Sequence, residues 1–250
     1  HDVGAAGVVH MISGFFALGI LINLGPRVGR FNADGSANDL LGHSVPMTIA
    51  GLMIIIIGFF GFLGACLIYP APMAGSTADA GWLTIYGGPA TLSSFAFNTL
   101  MSFGGGIIGA YFITKDPFWM MSGALAGIFC AAAGLDLWYP GTAFALGFLG
   151  GVVIPYSHKM ITSWGIDDAV GAVSVHGTCG LIGVLAVGVL LGGYPAVGEG
   201  EPISFIGQLV GAIAMGLGGF IPGYVVSWIL KKCGILRTSD KVQEVGVDAE

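Results

Sequence analysis

Residues 45–68 read VPMTIAGLMIIIIGFFGFLGACLI, 24 positions without Asp, Glu, Lys, Arg or His. A helix rises about 1.5 Å per residue, so this stretch would be about 36 Å long. That crosses a hydrocarbon layer of about 30 Å, and the stretch reads as a transmembrane helix. Working outward, six more apolar stretches appear at 3–24, 91–114, 118–134, 141–156, 169–191 and 203–230. The fourth and fifth in chain order are short and rich in Gly and Ala, which predicts tightly packed interior spans. Breakers separate the series: Gly25-Pro26, Pro70-Ala71-Pro72, Asp116-Pro117, Tyr139-Pro140-Gly141 and Gly193-Tyr194-Pro195.

Composition points the same way. Of 250 residues, 55% are hydrophobic and only 9% charged. A soluble domain carries roughly a quarter charged residues, so a water-soluble enzyme is excluded, and so is disorder. Glycine, at 45 residues, far exceeds the usual ~7% and suggests helices packed backbone to backbone. The first residues, His1-Asp2-Val3, have no basic n-region, so no signal peptide is expected.

Seven spans place all eight cations on one side: Arg27, Arg30, Lys115, Lys159, Lys231, Lys232, Arg237 and Lys241. By the positive-inside rule that side is cytoplasmic, and so is the polar tail, residues 231–250. An extra or missing span would scatter the cations, which supports the count. Trp82, Tyr86, Trp138 and Tyr139 fall where interfacial aromatics belong. The net charge of −6 comes mostly from loops and tail and says little about partners. No nucleic acid is expected among them.

A repeat lies within the series. Asp2-Val-Gly-Ala-Ala-Gly-Val-Val-His10 aligns with Asp168-Ala-Val-Gly-Ala-Val-Ser-Val-His176. Each copy has Asp, seven mostly small apolar residues, then His. Asp and His are eight apart, about 12 Å along a helix. Each Asp is placed to cap a helix N-terminus and oppose its dipole. The first span starts outside and the sixth inside, so the copies run in opposite directions. Such inverted repeats put a transport site near the midplane, which predicts that His10 and His176 meet there.

Ionisable residues inside a membrane are costly and default to a functional reading. The rival readings are a structural histidine, a bis-His haem and a metal site. No further His, Cys or carboxylate accompanies the pair at depth in the sequence, so no cofactor or metal is expected. His43 and His158 read as lying at the inner membrane edge. Cys66, Cys130, Cys179 and Cys233 lie in or beside apolar segments with no close-spaced pair. That reads as buried free thiols, not a disulfide framework or zinc ribbon.

These and further stretches resemble the ammonium transporter family (Amt/Mep/Rh), from its fifth transmembrane helix to its tail. They are Asp2 to His10, Gly25-Pro-Arg-Val-Gly29, His43-Ser-Val-Pro-Met47, Gly58-Phe-Phe-Gly-Phe62, Phe97-Asn-Thr99, Asp167-Asp168 and Val175-His-Gly-Thr-Cys-Gly180. Leu236-Arg-Thr-Ser and Gly246-Val-Asp248 resemble the family's tail. The matches occur in order along the whole chain. The resemblance implies an all-α polytopic membrane protein whose seven helices equal helices five to eleven of an eleven-helix inverted-repeat fold. It implies homotrimers with one pore per subunit, and first four helices supplied by another polypeptide or by a segment outside residues 1–250. It implies that His10 and His176 are the pore's twin histidines, that Phe62 gates the outer mouth, and that Asp2 lies beneath an outer recruitment site. Asp168 would be the repeat-related acid on the inner side.

The sequence departs from the family at the outer site. Phe59 stands where the family has Trp, and Cys66 where it has a recruitment serine, a poor hydrogen-bond acceptor by comparison. Ala132-Ala133 replace the eighth helix's Thr-Pro, and Gly134-Leu-Asp-Leu-Trp138 matches no family element. The expected function is conduction of ammonium or ammonia through a hydrophobic pore, not enzymatic catalysis. An ammonium sensor coupled to a cytoplasmic partner at the tail is the alternative, and a bis-His haem protein a third.

Overall fold

The computed structural model describes residues 1–67, 79–83, 89–194 and 201–246. Among them are seven helices long and apolar enough to cross a membrane: α1 (Ala6–Leu24), α2 (Val45–Ala65), α3 (Leu92–Thr114), α4 (Pro117–Gly134), α5 (Pro140–Ser163), α6 (Val173–Leu190) and α7 (Phe205–Lys232). A two-stranded antiparallel ribbon, β1 (Asp79–Leu83) with β2 (Pro89–Thr91), leads into α3. A short helix, α8 (Asp240–Val245), lies in the tail.

Local chemistry sets the helix starts. The Ser44, Ser204 and Ser239 hydroxyls accept the backbone N–H of Met47, Gly207 and Val242, capping α2, α7 and α8. Thr91 and Ser94 form a reciprocal capping box on α3. Asp116 accepts from Phe118 and Trp119 at 2.7 and 3.2 Å, with Pro117 opening α4.

Helix α5 corrects the sequence reading, which ended it at residue 156. It continues to Ser163. Ile154, Ser157 and Ile161, on either side of the proline, are all buried. Neighbouring helices thus hold the chain helical through a position where an isolated helix would break.

The helices meet through bare backbone. A Cβ on Gly123 of α4 would lie 2.5 Å from the Gly106 carbonyl oxygen of α3, and one on Gly106 would overlap the Gly123 carbonyl. Dispersion and close approach drive helix association in lipid, where apolar burial supplies little, so such contacts decide the packing. Helix α3 packs most extensively on α5 and α4, and α1 on α7. Helix α4 is the most enclosed span, as its small residues predicted. Helix α2 is the opposite: within it only Leu52 and Leu63 are buried, and Met47, Ile54 and Ile57 are largely exposed.

The described cations follow α1, α3 and α7 or lie in the last turns of α5 and α7, so they share one end of the bundle. At this cationic end Arg27 binds Asp167 through Nε (2.7 Å) and Nη2 (2.9 Å), and the Arg27 backbone N–H adds a third bond at 3.0 Å. Arg30 lies 3.3 Å from the same carboxylate and also donates to the Asn38 carbonyl. The tail folds back there. Arg237 donates to the carbonyls of Leu24, Gly25 and Pro26, the last at 2.6 Å. A cation thereby meets the negative end of the α1 dipole.

Two expectations need correction. Trp138 is not interfacial: it is fully buried, its indole N–H donating to the Ala131 carbonyl at 2.7 Å. A buried indole needs such a partner, and the turn after α4 supplies it. Nor are all four cysteines buried. Cys130 and Cys179 are, but Cys66 is half-buried and Cys233, past the end of α7, is exposed. Tyr139 is exposed, as an interfacial residue should be. The Trp82 side chain, Tyr86, Pro70 to Pro72, Pro195 and residues 247–250 lie outside the described residues.

Candidate functional site

Both copies of the sequence repeat fold into the same unusual turn. In the first, Asp2 Oδ2 accepts the backbone N–H groups of Gly7 and Val8, each at 3.0 Å. Ala5 takes a left-handed conformation (φ 62°), and Ala6–Met11 then form a π-helical turn carrying His10. In the second, Asp168 accepts from Ala172 and Val173, both at 2.8 Å. Gly171 is left-handed (φ 72°), and Val173–Thr178 form a π-turn carrying His176. The left-handed step falls three residues after the Asp in each copy. π-turns are rare and concentrate at functional sites.

The first copy is also threaded into the bundle. Val3 and Gly4 donate to the carbonyls of Ala133 and Ala132 at 3.0 and 2.9 Å. The buried pair His1–Asp136 (3.0 Å) holds the same segment against the turn after α4. Because the start of α1 is itself enclosed, a histidine one turn into the helix already lies in the interior.

The two histidines meet. His10 Nδ1 and His176 Nδ1 are 3.3 Å apart, with ring centroids at 5.4 Å. At that distance one Nδ1 can donate to the other, and the tautomers decide which. Aromatic rings surround them. Phe129 of α4 stacks on His10 (3.7 Å, 23°) and on His176 (4.6 Å, 30°). Phe59 stacks at 6.0 Å from His10, and Phe62 stands edge-on at 6.2 Å. His10 is 5% exposed, and its Nε2 is buried without a hydrogen-bond partner.

This geometry bears on the haem reading. Two imidazoles on opposite sides of a haem iron hold their nitrogens about 4 Å apart, roughly 2 Å from each. Here the Nδ1 atoms are 3.3 Å apart, with Phe129 stacked on one face of each ring.

The remaining sequence-predicted residues divide. Phe59, grouped with the outer acid in the sequence reading, lies among the rings around His10 and against Phe103 (5.8 Å). Cys66 bonds back to the Phe62 carbonyl at 3.5 Å. Burial, and after it the Asp2 carboxylate, pushes its thiol up. Burial likewise pushes the Asp2 carboxyl up against the pull of the Val8 and Gly7 bonds. Asp2 Oδ1 is buried with no partner. Asp168 lies at the cationic end, and burial also pushes its carboxyl up, opposed by the Val173 and Ala172 bonds. Its neighbour Asp167 behaves differently. Burial raises it, but the Arg27 hydrogen bonds and the charges of Arg27 and Arg30 outweigh that and hold it low.

Sequence reasoning missed Phe129, one of 16 phenylalanines with no motif around it. It also gave no role to the Asp167–Arg27 pair, or to the Ser157–Thr178 hydroxyl bond (2.8 Å) that ties α5 to the second π-turn.

The profile of the Ammonium Transporter Family matches residues 1–250. Ammonium transporter Amt2 of Methanocaldococcus jannaschii is 32% identical over 250 residues, covering 99% of this chain and 54% of its own length. Amt2 of Archaeoglobus fulgidus is 30% identical over 264 residues, covering 99% and 53%. A solved structure described as a sensor Amt protein superposes with a TM-score of 0.83 at 28% identity, covering 99% of this chain and 59% of that one. Candida albicans Mep2 shares the fold with a TM-score of 0.74 at 20% identity, covering 96% and 53%. The chain thus spans about half the length of the relatives it matches, over which it carries the family's sequence pattern and fold. It belongs to the ammonium transporter family.

Proposed function

We propose that this chain contributes the twin-histidine half of a pore that conducts ammonium or ammonia. The observation that carries the reading is the His10–His176 contact at 3.3 Å inside a wall of Phe129, Phe59 and Phe62. Ammonium must shed water to enter such a space, and desolvation favours its neutral form. Complementary tautomers give the pair a lone pair at one Nε2 and an N–H at the other. The unpartnered Nε2 of His10 is then free to meet ammonia or a proton. Imidazole exchanges protons near neutrality, so the pair can guide ammonia and relay the proton. Phe62 gates the mouth, Asp2 favours the cation nearby and Cys66 stands in for the recruitment serine. Asp168 is the structural counterpart of Asp2.

In this reading the cationic end faces the cytoplasm and the protein is a homotrimer in the cell membrane. The tail, residues 231–250, is the docking place for a cytoplasmic regulator. The test is ammonium current or methylammonium uptake by the full-length protein in transporter-deficient cells. His10→Ala and His176→Ala should each remove transport or change its pH dependence. Unchanged transport and pH dependence in both would overturn the role of the pair.

A second reading, an ammonium sensor, is favoured by the 28% identity to the sensor Amt protein and by Cys66. Tight ammonium binding without uptake by the full-length protein would select it.

A further inference from the structure

A second polar site lies at the cationic end, away from the histidine pair. There a cavity of about 370 Å³ opens among the connection after α1, the starts of α2 and α4, and the last turns of α5. Arg30, Ser44, Thr48, Trp119, His158 and Asp168 line it. The Trp119 ring stands edge-on to His158 at 5.0 Å and fixes the imidazole plane. His158 Nδ1 is enclosed and has no hydrogen-bond partner among the described residues. A Cβ on Gly171 would lie 3.9 Å from that nitrogen and 3.8 Å from Val175. The ring therefore abuts the left-handed step of the second repeat copy, one turn from His176.

The charges facing His158 come from several elements. Asp168 and Asp167 approach from the α5–α6 connection, and Arg30 and Asp39 from the α1–α2 connection. Asp116, at the start of α4, lines the same cavity. Arg27 lines the cavity too, but it is bound to Asp167. Asp168, Asp39 and Asp116 then face Arg30, so a positive charge can be held here, either on the ring or on a small cation beside it. An imidazole with an unsatisfied nitrogen beside a water-sized space suits proton exchange.

We propose that this cavity is where ammonia leaving the twin-histidine pair recovers its proton, and that His158 delivers it. The ammonia lone pair takes a proton from the His158 imidazolium. One N–H bond forms on nitrogen, one ring N–H bond breaks, and its electron pair stays on the ring. Ammonium departs past Asp168 and Asp39. The neutral ring regains a proton from hydronium in the water of the cationic side, which leaves as water. The assignment rests on the conduction reading above.

The test uses full-length protein in proteoliposomes, with initial ammonium flux recorded while pH on the cationic side is stepped and the other side held constant. Wild-type flux should depend on that inner pH. His158→Gln should flatten the dependence and lower the maximal rate by about tenfold, below the usual range for general acid catalysis because water substitutes in part. The concentration for half-maximal flux on the far side should not move. Imidazole inside the vesicles should restore flux to His158→Ala. Active wild type with an unchanged inner-pH profile in His158→Gln overturns the assignment and leaves conduction standing. Wild type that conducts nothing overturns both. Should neither variant fold, histidine-labelled wild type serves instead. A His158 ring that stays in one protonation state between about pH 5 and 8 overturns the proposal.

Discussion

In residues 2–10 the left-handed step falls on Ala5, and one oxygen of Asp2 takes both backbone N–H groups. In residues 168–176 the step falls on Gly171, and each oxygen of Asp168 takes one. The two segments make the same turn, but only the second makes it with glycine at the left-handed step and both carboxylate oxygens engaged; its idle atom is the Ser174 hydroxyl instead. A non-glycine left-handed residue costs about 1 kcal/mol, and an unpaired buried carboxylate oxygen costs more. The flanks differ as well. The second copy is anchored by Asp167 with Arg27 and Arg30, the first by His1 with Asp136. The lesson is that one geometry is built twice, once for stability and once with a buried acceptor held in reserve at the end opposite the cations.

Breaking the satisfied copy should cost most. Asp168→Ala strips two buried N–H groups of their acceptor and should destabilise the full-length protein by about 3 kcal/mol, read as a lowered Tm in detergent. Asp2→Asn should cost much less, because an amide oxygen accepts the same two bonds. Equal losses would erase the distinction between the copies.

Next comes the anchor. Arg27→Ala leaves the buried Asp167 carboxylate with Arg30 alone. Allowing for the exposure of Arg27, about 1–2 kcal/mol should be lost near neutral pH. The sign of the pH effect follows from Asp167 being held low. Its contribution is complete above the ordinary aspartate value of about 3.9 and is lost as pH falls through the lower folded value. Wild type should therefore hold its Tm down to about pH 4 and then fall. Arg27→Ala should show less of that acid step, and an identical step would remove the anchor from the comparison.

Smallest are the two backbone substitutions, which should have opposite signs. Gly171→Ala should destabilise by about 1 kcal/mol, and its added methyl meets Trp119 and Val175 at ordinary contact distances. Ala5→Gly should stabilise, or cost nothing, because it relieves the left-handed alanine at the expense of some unfolded-state entropy. Two changes of the same sign would mean that the copies are equally strained.

Much of this was legible in residue order alone. Apolar run length gave the spans, cation placement gave the shared end, and the Asp-to-His spacing paired two histidines 166 positions apart in the chain. The left-handed steps and π-turns were not legible. Gly171 hints at one, but nothing about Ala5 distinguishes it from its neighbours. Phe129 was invisible for a related reason: an apolar helix places many rings, and only packing decides which one covers a histidine. Trp138 misled because loop position suggests an interface, whereas a backbone carbonyl within reach draws the indole inward. Helix α5 outruns its apolar stretch because Ser157 and Ile161, beyond residue 156, are buried against neighbouring helices.

The interlocked glycines of α3, α4 and α5 have a consequence for descent. Where a carbonyl of one helix occupies the space of a Cβ on the next, every codon change away from glycine is a clash. At Gly51, Gly58 and Gly61 of α2 an added Cβ meets nothing within 4 Å among the described residues. Among related chains, glycine should be held more strictly at Gly106 and Gly123 than at these α2 positions, whatever each relative does with ammonium.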